Sequence, residues 1–273
     1  MEIDDILASV DSSGVSNPES TALDHQLFTR FWVAERSVPE LLPWPSRLMN
    51  RMMERIQHQI STIEDLAATS SDPSNITTTT TVPGTTNTTL TLSILQTDLS
   101  RTQYLIRSLL RQRLAKLTKH SMYYLLLSST SPPPIPPSSN LANPDIKSQQ
   151  PEDSIPPLPS SHSTTSPLSI SEIQFLHTHQ TLLARHFGSS FLSSFPPQLR
   201  RLDDNAGGTS MVQGPDLRET VFVRCLAEQV TVVAPPGDGV DEVLGGTMRM
   251  GDVWVVRWEG VKEAWGRGDV EVL

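Results

Sequence analysis

Between Leu90 and Leu127 one row of residues keeps a strict helical beat. Leu95, Leu99, Thr102, Ile106, Leu109, Arg113 and Leu117 recur at alternating steps of four and three, which stacks them on one side of a helix about 57 Å long. A helix of that length with an apolar stripe must be covered by other helices along most of its run. Arg113 is the odd member, a cation inside the stripe, whereas Arg101, Arg107, Arg111, Lys116 and Lys119 project elsewhere around the wheel. No carboxylate occurs between Leu99 and Leu127, so these cations have no partner on their own helix and must find acids elsewhere or stay solvated. For Arg113 burial demands a carboxylate, and Glu35, Glu54 and Glu64 on the neighbouring predicted helices, or an acid from a partner, are the candidates.

The chain of 273 residues has room for one or two domains, but 22 prolines and two polar tracts withdraw a large share from any core. A net charge of −9 and a pI near 5.2 argue against the chain as a whole holding to nucleic-acid phosphates. The single cysteine, Cys225, cannot form an internal disulfide, and no Cys/His cluster has zinc spacing, which fits a reducing compartment. The N-terminus is acidic without an apolar run, and no stretch of 18 apolar residues occurs. The expectation is a chain neither secreted nor membrane-spanning.

Residues 1–18 open with Ile3-Asp4-Asp5-Ile6-Leu7 and continue in Ser, Gly, Asn and Pro, a composition that reads as a mobile arm. Leu23, Leu27, Phe31 and Ala34 predict a first helix over 22–36 with Thr21 as N-cap, ended by Pro39. A second helix starts at Trp44-Pro45-Ser46, with Met49, Met52, Ile56, Ile60 and Ile63 facing the core, and fades near Thr69. Residues 70–89, with five threonines from Thr77, read as a flexible loop. After the long helix, Ser128 to Pro167 carries half of all the prolines and reads as an extended insertion within a domain. Ser169 and Glu172 form a capping box for a fourth helix, whose apolar face is Ile173, Leu176, Leu183 and Phe187 and which reaches toward Ser194.

Beyond Asp203 to Gly214 the apolar period shortens. Thr220 to Leu226, Gln229 to Ala234, Asp252 to Trp258 and Asp269 to Leu273 read as strands, with Glu242 to Met248 as a further candidate, and Gly245-Gly246 and Gly266 read as turns. The fold class is therefore α+β. A helical domain of about four helices over 19–202, with insertions at 70–89 and 128–168, leads through a linker at 203–215 to a small β-rich domain at 216–273. A β unit of about 58 residues is marginal alone and rests on a neighbour.

Four blocks in order resemble one family. They are Trp32-Val33-Ala34-Glu35-Arg36 leading to Pro39-Glu40-Leu41-Leu42; Tyr104 to Lys119 with Leu110-Arg111-Gln112-Arg113-Leu114; Phe195-Pro196-Pro197-Gln198-Leu199; and Pro215-Asp216-Leu217 with Val221-Phe222-Val223-Arg224. Together they resemble the SLD-five subunit family of the GINS replication complex; the Thr-rich loop and the long Pro/Ser insertion are departures that fall between helices. The resemblance implies a nuclear, non-catalytic subunit without cofactor, assembled with three paralogous subunits into a heterotetramer that joins the MCM ring and its Cdc partner in the replicative helicase. It also points to Arg107, Arg111, Arg113, Lys116, Phe222 and Arg224 as structural or interface residues. The block Ile3, Asp4, Asp5, Ile6 and Leu7 is similar to the docking peptide that some fungal members present to the trimeric hub linked to polymerase alpha. Its three aliphatic groups share one side of a single helical turn, too short to persist without a groove to receive it.

Catalytic readings are weak beside this. His177 and His179 stand about 200° apart on a helix, and His186 has no acid or thiol close by to complete a metal set. Asp203-Asp204 lie in a Gly-rich connection, Gly237 and Gly239 lack the third glycine and following helix of a dinucleotide site, and Cys225 alternates with Val221 and Val223 as a buried strand residue. The other functional class is direct DNA contact through the basic long helix, but its cations spread around the axis instead of gathering among aromatics on one face.

Overall fold

The computed structural model describes residues 18–71, 84–129, 155–156, 167–196, 200, 212–234 and 244–273. Among these residues are six α-helices: α1 (Pro18–Ser37), α2 (Ser46–Ser71), α3 (Gly84–Lys119), α4 (Ser121–Ser128), α5 (Ile170–Ser190) and α6 (Trp258–Arg267). Five strands accompany them: β1 (Thr220–Cys225), β2 (Gln229–Ala234), β3 (Leu244–Arg249), β4 (Val253–Arg257) and β5 (Val270–Val272). They divide into two compact units. One takes α1 to Arg36, α2, α3 as far as Arg111 and the last two residues; the other takes 37–44 and the chain from Gln112 to Glu271.

In the first unit the predicted stripe of α3 turns inward, with Leu95 and Leu99 half-buried and Thr102, Ile106 and Leu109 buried. Met49, Met52 and Ile56 of α2 are buried and Ile60 and Ile63 half-buried, as their spacing demands. Gln59 donates to the Leu95 carbonyl at 3.0 Å and to Asp98 at 3.2 Å, and the Trp32 indole donates to Ser108 at 3.0 Å. Helix α1 departs from its predicted phase in its N-terminal half. It begins at Pro18, so Thr21 lies inside it, and it buries Asp24, Phe28 and Glu35 while Leu23 and Leu27 remain exposed; of the predicted face Ala34 is buried and Phe31 half-buried. The physical reason is electrostatic: Asp24 meets Arg51 at 2.8 Å and Arg55 at 2.7 Å, two guanidiniums one turn apart on α2. The polar stretch read as a loop over 70–89 is shorter than its composition suggests, since α2 runs to Ser71 and α3 starts at Gly84.

In the second unit the helical stripe ends in two pieces. Instead of one helix to Leu127, α3 stops at Lys119 and α4 starts at Ser121. His120 leaves helical geometry at φ −119°, ψ 38°, although the amides of His120 and Tyr124 keep their bonds four residues back at 3.0 and 3.1 Å. Side chains hold the bend: the His120 Nδ1 lies 3.0 Å from the Gln213 carbonyl, and buried Gln180 of α5 donates to Ser121. Turned this way, Tyr124 and Leu125 join Leu41, Leu117, Leu168, Ile173 and Leu176 in one core, and the Leu41 amide donates to the Tyr124 hydroxyl at 2.9 Å. The Ser169–Glu172 capping box is present, and α5 continues after Ser190 into a 3₁₀ turn at Leu192–Ser194.

The β part of this unit holds two sheets, one in the order β4-β1-β5 and one pairing β2 with β3. Strand β1 alternates, with Val221, Val223 and Cys225 inward. The region between Trp258 and Asp269, where no element was expected, is helix α6. Its signal is the spacing of Trp258, Val261 and Ala264, all buried, with Gly268 as a left-handed C-cap at φ 83°. Gly266 belongs to this helix and Gly245-Gly246 to β3, so neither marks a turn. At Gly246 a Cβ would stand 2.8 Å from the Trp254 ring, and at Gly260 one would stand 2.7 Å from the Val233 carbonyl.

Two outcomes follow. The two guanidiniums hold the Asp24 carboxyl below its usual range, hydrogen bonding to Arg51 being the largest influence. A lowered folded value stabilises the fold above the unfolded value of about 3.9, and that contribution is lost as pH falls through the folded value. Asp24→Asn should therefore cost about 2 kcal/mol near neutrality, leaving Arg55 poorly compensated, with the gap to the parent closing at acid pH in denaturant titrations. Gly260→Ala should lower the melting temperature although alanine is the better helix former, because about 1 kcal/mol of propensity does not offset pushing a Cβ into the β2 backbone.

Candidate functional site: internal ties and the surfaces they leave

Arg113 enters the second unit from α3 and is 1% exposed. Its fork makes at least four hydrogen bonds. Nε donates to Glu172 Oε1 at 2.7 Å, Nη2 to Glu172 Oε2 at 3.1 Å and to the Pro167 carbonyl at 3.4 Å, and Nη1 to the Leu42 carbonyl at 2.8 Å. The guanidinium carbon lies 5.1 Å from the centre of the Trp44 ring, and the Trp44 amide donates to the Pro167 carbonyl at 3.1 Å. The demand for a carboxylate read from the stripe is met by Glu172, an acid outside the candidate set, whose Oε2 also accepts from the Ser169 amide at 2.8 Å. One carboxylate thus caps α5 and neutralises Arg113, because the start of α5 comes to an arginine whose own helix carries no acid beyond Asp98, about four turns away.

Glu40 is a second node. Its carbonyl accepts from Lys116 Nζ at 2.8 Å, its Oε1 from the Trp258 indole at 2.7 Å and its Oε2 from Lys262 Nζ at 2.8 Å. Trp258 is fully buried, so its N–H requires such an acceptor. Lys116, expected as a structural or interface residue, is half-buried and turned onto this node. Trp258 and Lys262 escaped sequence reasoning; the three- and four-residue spacing that defines α6 was the available signal.

The other expected positions are on the outside. Arg107 and Arg111 are exposed on α3 beside Tyr104 and Leu110, and Phe222 and Arg224 are exposed on β1. Among the described residues no carboxylate pairs with Arg101, Arg107, Arg111 or Lys119. Ile3, Asp4, Asp5, Ile6 and Leu7 lie outside the described residues, as do Asp203, Asp204, Gly237 and Gly239. His177 and His179 are half-buried and His186 exposed on α5; among the described residues no group of three His, Cys, Asp or Glu side chains is placed to hold a metal ion. Cys225 is buried, with its thiol 3.2 Å from the Ala227 carbonyl. A cleft of about 350 Å³ is lined by Lys116, Lys119, His120, Asp216 and Glu219, a mixture of both signs. No described helix is long and apolar enough to cross a membrane.

Internally tied helices, a small β unit and unpaired cations among exposed apolar side chains define a subunit built to present surface to other chains. Residues 59–191 match a family model described as the GINS complex protein helical bundle domain, and residues 215–273 match that of the DNA replication complex GINS protein SLD5 C-terminus. A DNA replication complex GINS protein SLD5 of Chaetomium globosum is 33% identical over 274 residues, covering the whole of both chains. Its counterpart from Yarrowia lipolytica is 27% identical over 98% of this chain and 84% of its own, and that from Schizosaccharomyces pombe is 26% identical over 92% of each. The chain belongs to the SLD5 family of GINS subunits, proteins of DNA replication.

If the Arg113 node is as tight as its geometry, Arg113→Ala should cost about 3–5 kcal/mol by leaving Glu172 uncompensated. Arg113→Lys should recover only part of this, since an ammonium cannot reproduce the fork. A double-mutant cycle with Glu172→Ala, read by denaturant unfolding, should show the double variant well short of additive.

Proposed function

We propose that this chain is a non-catalytic structural subunit of a heterotetramer formed with three paralogous GINS subunits. Within the nucleus the assembly joins the MCM ring and its Cdc partner in the replicative helicase, in initiation and elongation of DNA replication. The observation that carries this reading is the outward side of α3. Tyr104, Arg107 and Arg111 stand opposite the buried stripe, and the cations among them lack acids among the described residues, a pattern that asks for an acidic neighbour. Full-length similarity to named GINS relatives supports the same reading. The Met1 to Gly14 arm, by its acidic and aliphatic sequence, docks on the trimeric hub linked to polymerase alpha, and it is dispensable for assembly of the tetramer.

The second reading is direct DNA contact through the same helix, favoured by an exposed tyrosine among arginines and opposed by the net charge of −9. Gel shifts of the isolated chain at low and moderate salt separate the two, because phosphate binding falls steeply with salt.

Co-expressed with the three paralogues, the chain should elute as one species of equal stoichiometry, whereas alone it should self-associate. A well-behaved monomer with a cooperative melt and no affinity for the paralogues would refute the assembly role. A labelled Met1 to Gly14 peptide should bind the hub with micromolar-type affinity; equal binding by an Ile6→Ala, Leu7→Ala version, or none by either, would remove the arm's part.

A further inference from the structure

Strand β1 turns Thr220, Phe222 and Arg224 outward, and its antiparallel register sets Thr220 opposite Arg257, Phe222 opposite Val255 and Arg224 opposite Val253. Residues directly opposite in an antiparallel pair project from the same side, so these six side chains form one face. Its middle is apolar and uncovered: Phe222 is 58% exposed, Val255 56% and Val253 50%. In a unit that buries Val221, Val223 and Cys225 on the other side of the same strand, three large apolar groups facing outward form a patch of the kind that marks association. A guanidinium stands toward each end. Arg224 has no ionic partner among the described residues, and Arg257 meets only Glu259, at 3.9 Å. Glu271 of the adjoining β5 is engaged, but not with Arg224.

We propose that this face of β1 and β4 receives an aliphatic segment with flanking carboxylates from one of the paralogous GINS subunits, an inference that rests on the assembly role proposed above. The aliphatic side chains cover Phe222, Val253 and Val255, and the carboxylates reach Arg224 and Arg257, whose Cα atoms lie roughly 14 Å apart by strand geometry. Charge decides between occupants. A second copy of this chain, related by a two-fold axis, would set guanidinium against guanidinium across the patch. A nucleic-acid strand would find a single aromatic ring to stack on, on a chain of net charge −9. A partner that brings carboxylates to an apolar centre satisfies both features, with Phe222 and the arginines as the anchoring residue types.

The test is co-expression of the full chain with the three paralogues, the tag being on a paralogue. Phe222→Glu and Val255→Glu should each lower recovery of this chain in the tetramer at least tenfold. Arg224→Glu should lower it severalfold, with Arg224→Lys restoring most of the loss. Circular dichroism and melting of each variant alone separate lost docking from lost folding, and Arg224→Glu, a change at an exposed charge, carries the test if the strand substitutions unfold. Tetramer recovery equal to the parent's in the folded variants overturns the docking face while leaving the subunit role intact. Failure of the unmodified chain to assemble overturns that role and the proposal with it. If the folded variants instead abolish self-association of the isolated chain, or its binding to a labelled oligothymidylate, with assembly unchanged, the face serves a second copy or a nucleic-acid strand and the proposal is wrong.

Discussion

The buried guanidinium of Arg113 is the constraint around which the second unit is arranged. An ion taken out of water costs several kcal/mol unless its donors are answered, and the answers come from two stretches: the Leu42 carbonyl ahead of α2, and the start of α5, where the Pro167 carbonyl lies before the cap and Glu172 after it. Those two stretches are far apart in the chain. Placing them within reach of one planar fork fixes where α5 begins and how residues 41–44 run. The aliphatic core of Leu41, Leu117, Leu168, Ile173 and Leu176 then closes beside it. The apolar contacts supply most of the burial energy, but they are non-directional, and the directional bonds of Arg113 select one arrangement among the many that would bury the same leucines.

Glu40 does similar work toward the C-terminal part. A β unit this small is marginal by surface-to-volume scaling, and its largest buried side chain, Trp258, has a polar N–H that must be matched. Glu40 matches it, takes Lys262 with its second oxygen, and offers its backbone to Lys116. A short irregular segment between two helices thereby holds both the end of α3 and the start of α6. With these ionic groups satisfied internally, cations without an acid among the described residues include those of the outward side of α3 and Arg224 of β1. They stand beside exposed apolar residues, the combination that gives association both its driving force and its selectivity.

Much of this was legible from residue order. The row from Leu95 to Leu117, the core face of α2, the Ser169–Glu172 box and the alternation of β1 are local periodicities, and burial follows them. Two local readings failed for local reasons. Gly245, Gly246 and Gly266 read as turns because glycine is the common punctuation of turns, yet at Gly246 the missing side chain makes room for the Trp254 ring. Helix α6 was masked by the tryptophans and glycines within it, and only its three- and four-residue spacing betrays it.

Other features were decided by tertiary structure alone. The spacing of Leu23, Leu27, Phe31 and Ala34 is as helical as that of Asp24, Phe28 and Glu35; that Asp24 and not Leu23 or Leu27 turns inward in the first half of α1 was settled by Arg51 and Arg55 waiting on α2. The bend at His120 has neither glycine nor proline to announce it and is held by Gln180 and Gln213, residues distant in the chain. Above all, the stripe determined that Arg113 must have a carboxylate, and did so by a rule that acts within a single helix. Which carboxylate it is depends on where the start of α5 packs against the end of α3, and residue order encodes the need for a partner without encoding the distance to it.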